Sequence, residues 1–378
     1  MRHISRVAAS VLLAILCLAA LAPAVAADGG YPLSADDDVI QDALDYLAAQ
    51  QAADGSIGGF ADSAWACIAI GAAGEDPDDW KTDPTNPSLV DYLKGAPDFS
   101  GDFNMGTALA RMVLAAVAAG EDPDAFADGS WSVTRAGVTV TDGDYLTALT
   151  GLHDGSKFLQ DNVDPDAGNT LNDDFWAVRA LIKAGQPASS AIIQSSVQHI
   201  IDNQEADDGW TWGTPDHSWY WPGSDTDDTA AAVVAIQLAG RYEGVNEALE
   251  YLHSQQDGAS GGFPGYTPPA NVRSTAWGVD AIGAARQDPS GSGWTPGSSS
   301  PIDYLIAEQL GNGSWDDSTR STADCIVALL GSNYRPLPKS VGGIAETPSA
   351  IGLVLPWLTV AAAATGFVTW RLRPRSSV

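Results

Sequence analysis

The chain has 378 residues, 45% of them apolar, and a formal net charge of −30. This length is enough for two ordinary domains or one large repeat domain, and the apolar fraction excludes a disordered chain. The acidic excess excludes nucleic acid as a partner, because phosphate groups are bound by lysine and arginine. The acidity indicates a solvated, soluble exterior.

The N-terminal residues 1–27 have the features of a secretory signal peptide. Arg2 and Arg6 give a positively charged start, residues 7–20 are apolar, and residues 24–26 form a small-residue cleavage site. We therefore expect the protein to be exported. Cys17 lies inside the signal peptide and is expected to leave with it.

The C-terminal end carries a second apolar stretch, residues 350–370, which is long enough to cross a bilayer as a helix. The basic tail that follows, residues 371–378, belongs in the cytoplasm by the positive-inside rule. Residues 335–349 are rich in Pro, Gly and Ser and indicate a linker. We expect a domain on the extracellular face, anchored by a single C-terminal transmembrane helix. Cleavage of this helix by a sorting enzyme is the alternative.

Residues 35–334 repeat one pattern six times. A first helix is followed by a loop with an aromatic residue, and then by a second helix rich in Ala, Val, Ile and Leu that ends near Gly and often Asp-Pro. Glycine stops a helix and proline prevents its continuation. The spacing of roughly 45 to 65 residues is close to that of helical-pair repeats.

The two helices of each unit differ in their apolar pattern. The first is amphipathic, as in residues 43–51 (ALDYLAAQQ), whereas the second is apolar nearly all round and must be buried on most sides. This difference predicts an all-α fold, an α/α toroid of about six helix pairs with an inner and an outer ring. An open solenoid is the competing architecture, but its end units should be polar caps, and here they resemble the middle units.

The sixth unit contains Tyr304-Leu305-x3-Gln309-x3-Gly313-x-Trp315, which resembles the QW motif of squalene–hopene and oxidosqualene cyclases. Residues 46–55 match the motif in part, without the tryptophan. The Gly-Gly-Phe of the repeat resembles that of protein prenyltransferase β subunits. The chain is thus similar to the squalene cyclase and protein prenyltransferase repeat superfamily, and the resemblance implies a six-pair α/α toroid with the second helix of each pair inside.

The central stretch contains the run Asp225-Thr226-Asp227-Asp228 at the start of a second helix. The run resembles the DxDD motif of class II terpene cyclases, and the resemblance implies that Asp227 is a proton donor tuned by Asp225 and Asp228. Clustered carboxylates raise one another's pKa, but a helix N-terminus favours the ionised form. A hydrogen-bonding partner is therefore needed, and His217 is the nearest candidate in sequence. The alternative for Asp228 is a helix cap.

The loop before this run is crowded with aromatic residues, which are expected to line a ligand pocket and to stabilise a cation by cation–π contact. They are Trp210, Trp212, Trp219, Tyr220 and Trp221.

No metal site or cofactor is expected, because Asp324 and Cys325 are adjacent and the last inner helix has no histidine for a prenyltransferase-type zinc site. The acidic loops at residues 76–79, 122–124 and 164–166 indicate solvated turns, with calcium as the alternative. Cys67 and Cys325 lie in the first and sixth inner helices, which are neighbours in a closed ring. A disulfide between them is geometrically allowed, and two buried thiols are the alternative.

The first functional hypothesis is a membrane-tethered extracellular toroid that binds a small apolar or amphipathic ligand in a central cavity. The second is an enzyme of the class II terpene cyclase type that uses the DxDD run. The third is a surface module that docks another protein by its acidic rim.

Overall fold

The computed structural model describes residues 30–332. The predicted signal peptide (1–27), linker (335–349), transmembrane helix (350–370) and basic tail (371–378) lie outside the described residues. Within residues 30–332, no helix combines the length and the apolar character that crossing a bilayer requires.

The described part of the chain is mostly helical, with twelve α-helices. In chain order they are α1 Asp38–Ala49, α2 Phe60–Ala72, α3 Leu89–Leu93, α4 Met105–Ala118, α5 Tyr145–Thr150, α6 Asn172–Lys183, α7 Ala191–Asp202, α8 Thr226–Leu238, α9 Val245–Gln255, α10 Val272–Ala284, α11 Pro301–Glu308 and α12 Thr319–Leu329. Two short 3-10 helices, Pro77–Asp79 and Ser292–Trp294, lie in the connections.

The even-numbered helices form a closed inner ring. Each packs against the next, and α12 packs against α2. The residues before α1 also join the last inner helix, because the backbone N–H of Leu33 donates to the carbonyl of Leu329 at 2.9 Å. The inner helices are therefore arranged as expected for an α/α toroid and unlike an open solenoid.

The apolar patterns explain which helices are inside. Along α1 the buried residues Ile40, Ala43, Leu44 and Leu47 share one face, while Asp42 and Asp45 are exposed. Along α8 every residue from Ala230 to Ile236 is buried. A helix with one apolar face suits the outer layer, whereas one that is apolar all round needs neighbours on all sides.

Glutamines that follow four of the outer helices tie one unit to the next. Each side-chain amide donates to a carbonyl in its own loop and to a second carbonyl in or before the following outer helix. The pairs are Gln51 to Gly55 (3.2 Å) and Trp80 (2.7 Å), Gln204 to Asp208 (2.7 Å) and Gly244 (3.0 Å), Gln256 to Gly261 (2.8 Å) and Trp294 (2.9 Å), and Gln309 to Gly313 (2.9 Å) and Val39 (2.8 Å). The Gln309 pair closes the ring, since Val39 belongs to the first unit.

The expectation of an all-α chain is wrong in one place. The long third unit contains an antiparallel hairpin of β1 Ser132–Arg135 and β2 Val138–Thr141. Its turn residues Ala136 and Gly137 have φ of 47° and 73°, the left-handed pair that a tight hairpin requires. Alternating valine and threonine in β2 place Val138 and Val140 in the core and their neighbours in solvent.

Of the two alternatives for the cysteines, the structure has the two buried thiols: Cys67 and Cys325 are both free, and no disulfide joins them. Helices α2 and α12 are neighbours as expected, but Cys67 faces the other neighbour of α2. Its Sγ donates to the carbonyl of Ala115 on α4 at 3.5 Å. A disulfide needs both Cβ atoms to point at each other, which the rotation of α2 prevents.

Candidate functional site

The inner helices begin at one end of the ring, which we call the mouth. Residues near their N-terminal ends meet there: Ser274 of α10 bonds to Asp227 of α8, and Arg273 of α10 reaches Asp324, in the second turn of α12, at 3.4 Å. The loops of residues 203–225 and 256–271 precede α8 and α10 and therefore lie at this end. The aspartate run and the aromatic loop predicted from sequence are both at the mouth.

Asp225, Asp227 and Asp228 come together at the start of α8. Asp225 is the N-cap, because its Oδ1 accepts the backbone N–H of Asp228 at 2.8 Å. The expectation that Asp228 caps the helix is therefore wrong, because the cap lies three residues earlier. Asp228 lies inside the first turn and is buried.

Burial raises the pKa of all three carboxyl groups. It raises the pKa of Asp227 to about 6, opposed by a hydrogen bond from Ser274 and reinforced by the charge of Asp225. It raises the pKa of Asp228 well above the ordinary value, again with help from Asp225. Within the described residues the Oδ1 atom of Asp227 is buried and has no hydrogen-bond partner. Asp227 is thus a carboxyl group that protonates near neutral pH and has one oxygen unused.

The partner of Asp227 is not the one expected from sequence. His217 contacts other groups: its ring lies 4.5 Å from that of Trp212, and its Nδ1 accepts the backbone N–H of Trp219 at 3.0 Å. Ser274 and Arg273 influence the pKa of Asp227 instead. Their signal in the sequence is the repeated Arg-Ser-Thr-Ala at residues 273–276 and 320–323.

Two of the five expected pocket aromatics have structural roles. Trp210 is fully buried, and its Nε1 donates to the carbonyl of Ile200 at 2.7 Å. In the sixth unit, the Nε1 of Trp315 donates in the same way to the carbonyl of Leu305 at 2.7 Å. A tryptophan at this position is therefore a structural feature of the repeat, and Trp210 does not belong to a ligand site. The hydroxyl of Tyr220 donates to Glu205 Oε1 at 2.6 Å.

The other three aromatics line two open hollows at the mouth, with Trp212 common to both. The first, which we call the aspartate hollow, has a volume of about 400 Å³ and is lined by Thr211, Trp212, Trp221, Asp225 and Tyr266. The second, the histidine hollow, has a volume of about 390 Å³ and is lined by Phe103, Gln160, Asp164, Trp212, His217, Ser218 and Trp219. Phe103 and Tyr266 were not singled out from sequence, because both lie in other loops, far from the aromatic run of residues 210–221.

Within residues 30–332, side chains fill the ring centre, where the ligand cavity was expected. Trp65, Trp176 and Trp277 contact one another there, with ring centroids 5.1 and 5.6 Å apart. The guanidinium of Arg320 lies 3.5 Å from the centre of the Trp65 ring, and that of Arg179 lies 4.6 Å from the Trp176 ring. The three tryptophans and Arg179 border a cavity with a volume of about 30 Å³, which is room for about one water molecule.

Each acidic loop contains an Asp-Pro-Asp turn that is closed by a hydrogen bond of its own. In each Asp-Pro-Asp sequence the first aspartate accepts the backbone N–H of the second, as Asp78 donates to Asp76 at 3.0 Å and Asp166 to Asp164 at 2.8 Å. Across residues 30–332, no group of three or more metal-ligating side chains could hold a metal ion. The calcium alternative thus has no support in this part of the chain.

The closed ring of helix pairs is a terpenoid cyclase-like fold. No protein-family model and no curated protein matches the chain by sequence.

Among solved structures, it is similar to the type II terpene cyclase MstE from Scytonema, with a TM-score of 0.52 and 11% identity over 78% of this chain and 97% of MstE. A variant of MstE in complex with geranylgeranyl dihydroxybenzoate gives a TM-score of 0.48 at 12% identity over 78% of this chain and 97% of that one. At this identity the likeness shows the fold alone.

Proposed function

We propose that this chain is an exported, membrane-tethered toroid that binds a small apolar or amphipathic molecule in the aspartate hollow. The observation that carries the proposal is the wall of that hollow. Trp221 and Tyr266 are 65% and 68% exposed, although burying such rings stabilises a protein. Contiguous exposed aromatic surface around a concavity marks a binding site. The tether and the export signal are those expected from residues 1–27 and 350–370.

The lining of the hollow suits an elongated ligand with one polar end. Trp212, Trp221 and Tyr266 offer apolar faces, whereas Asp225 and Thr211 offer polar atoms at the base. The volume of about 400 Å³ lies within the range of small-molecule sites. Because the ring centre is filled, this hollow at the mouth is where we place the ligand.

The test is photolabelling of the full chain, reconstituted in lipid nanodiscs, with a diazirine analogue of farnesol. We expect label on residues 211–225 and 264–271 and competition by unlabelled farnesol. Trp221→Ala should weaken binding roughly tenfold or more, since an anchor ring contributes about 1 to 3 kcal/mol. Tyr242→Ala is the matched control, because Tyr242 is 62% exposed and follows the opposite end of α8. Equal losses in both variants would show that the label reports general surface adsorption.

A second candidate function is proton-initiated cyclisation, which the state of Asp227 favours. A carboxyl group that protonates near neutral pH and has an unused oxygen is suited to donate a proton to an alkene. The filled ring centre favours a short prenyl chain over a triterpene.

The test is incubation of the full chain with a short polyprenyl substrate in heavy water. A cyclised product should carry one deuterium at the protonated carbon. Asp227→Asn keeps the size of the side chain but has no acidic proton, so turnover should vanish while binding remains. Turnover by the Asn variant would exclude Asp227 as the donor.

A further inference from the structure

The histidine hollow is distinct from the aspartate hollow and is lined by different residues apart from Trp212. Phe103 and Trp219, which are 74% and 72% exposed, form its rim with Trp212. Phe103 comes from the loop before α4, whereas both tryptophans come from the loop before α8. Three aromatic side chains from two loops thus surround one concavity.

The walls of this hollow are held in place by the local chain. The Nδ1 atom of His217 accepts the backbone N–H of Trp219 at 3.0 Å, and the carbonyl of His217 accepts the N–H of Tyr220 at 3.0 Å. The imidazole also lies against the Trp212 ring at 4.5 Å. With Nδ1 used as an acceptor, a neutral imidazole carries its proton on Nε2. The turn therefore holds the backbone of Trp219 and the ring of Trp212 beside His217 before any ligand arrives.

The charged side chain that lines this hollow is a carboxylate. Asp164 lines it, and Asp166 lies beside it, where Oδ2 accepts the backbone N–H of Ser218 at 3.2 Å. None of the seven lining residues is lysine or arginine. Asp164 and Asp166 already accept hydrogen bonds from the chain, so their carboxylates are fixed at the edge of the hollow.

We propose that the histidine hollow binds a small organic cation of the quaternary ammonium class. Aromatic faces attract cations, and several rings beside a carboxylate are the usual arrangement for methylated ammonium groups. Such a cation is weakly hydrated, so it loses little when it enters an apolar concavity. A metal ion would need several carboxylate or imidazole ligands, and no such group occurs within residues 30–332. This site is independent of the ligand proposed for the aspartate hollow.

The test is titration of the full chain in nanodiscs with choline chloride, followed by tryptophan fluorescence and calorimetry. The comparison ligand is the neutral isostere of choline, in which carbon replaces nitrogen, and sodium chloride controls for ionic strength. We expect saturable binding of choline and affinity for the isostere lower by roughly tenfold or more. A sugar such as glucose, which also stacks on aromatic rings, should not compete.

Variants locate the site. Trp219→Ala and Asp164→Asn should each weaken choline binding roughly tenfold, whereas Trp221→Ala, an equally exposed tryptophan in the other hollow, should leave it unchanged. If Trp219→Ala does not fold, Phe103→Ala replaces it. Equal affinity for choline and its isostere, displacement by glucose, or no saturable binding would each overturn the proposal. None of these three outcomes would contradict the proposed function, because that function is tested separately with Trp221→Ala.

Discussion

Replacing Gln309 by leucine tests whether the ring is closed. The Gln309 amide donates to the carbonyls of Gly313 at 2.9 Å and Val39 at 2.8 Å, and the second bond joins the last unit to the first. Leucine has a similar volume but cannot donate, so both bonds are lost. A net value of about 1 kcal/mol for each bond predicts a loss of about 2 kcal/mol in the free energy of unfolding.

The assay is urea unfolding of the full chain followed by circular dichroism. Gln256→Leu is the benchmark, because Gln256 makes the same two bonds inside the chain, to Gly261 and Trp294. Gln255→Leu is the control, since the Gln255 amide bonds only to Ser254 among the described residues and should change stability by less than about 0.5 kcal/mol.

The comparison of the two variants decides between architectures. In a closed ring, Gln309→Leu and Gln256→Leu should cost about the same. In an open solenoid the bond to Val39 would not exist. Gln309→Leu would then lower the free energy of unfolding by only about half as much as Gln256→Leu. A loss of stability in Gln309→Leu that is half or less of the loss in Gln256→Leu would refute the closure described here.

Three further predictions concern the aspartates and the cysteines. Asp225→Ala should lower the free energy of unfolding by about 1 kcal/mol through loss of the α8 cap. Burial raises the pKa of Asp227 from 3.8 to about 6, so its stabilising contribution is complete below about pH 4 and is lost as the pH rises through 6. Asp227→Asn should therefore be more stable than the wild type at pH 8, by up to about 3 kcal/mol, with the difference shrinking towards pH 4 in urea titrations. Cys67 and Cys325 should both react with an alkylating reagent in the unreduced, unfolded chain and neither in the folded one; a single reactive thiol after unfolding would contradict the free state of both.

The arrangement of helix pairs could be predicted because it depends on local patterns. One apolar face along α1 and an apolar surface all round α8 determine which helix is outside and which is inside, whatever the rest of the chain does. The repetition of this pair then suggests a ring. The hairpin at Ser132–Thr141 was missed because it interrupts the repeat, although its alternating Val and Thr carry the two-residue period of a strand.

The aspartate run could be located for the same reason, because the residues that begin a helix are consecutive in the chain. The side chains that surround the run could not be predicted. Ser274 and Arg273 lie far along the chain and approach Asp227 only because α10 packs beside α8. His217 is close in sequence, but the turn that it forms with Trp219 directs its ring towards Trp212. Proximity in sequence is therefore a poor guide to partners across a ring of parallel helices.

The sequence by itself determined that the inner helices are buried, but only the tertiary structure decided what lies at their centre. The side of α2 that faces the centre depends on how far the helix is rotated between its two neighbours, and that rotation is set by packing along its whole length. It directs Trp65 to the centre, under the guanidinium of Arg320, and Cys67 to α4. A lumen filled by indole and guanidinium groups, with ligand hollows displaced to the mouth, is a consequence of these rotations, and no local pattern encodes them.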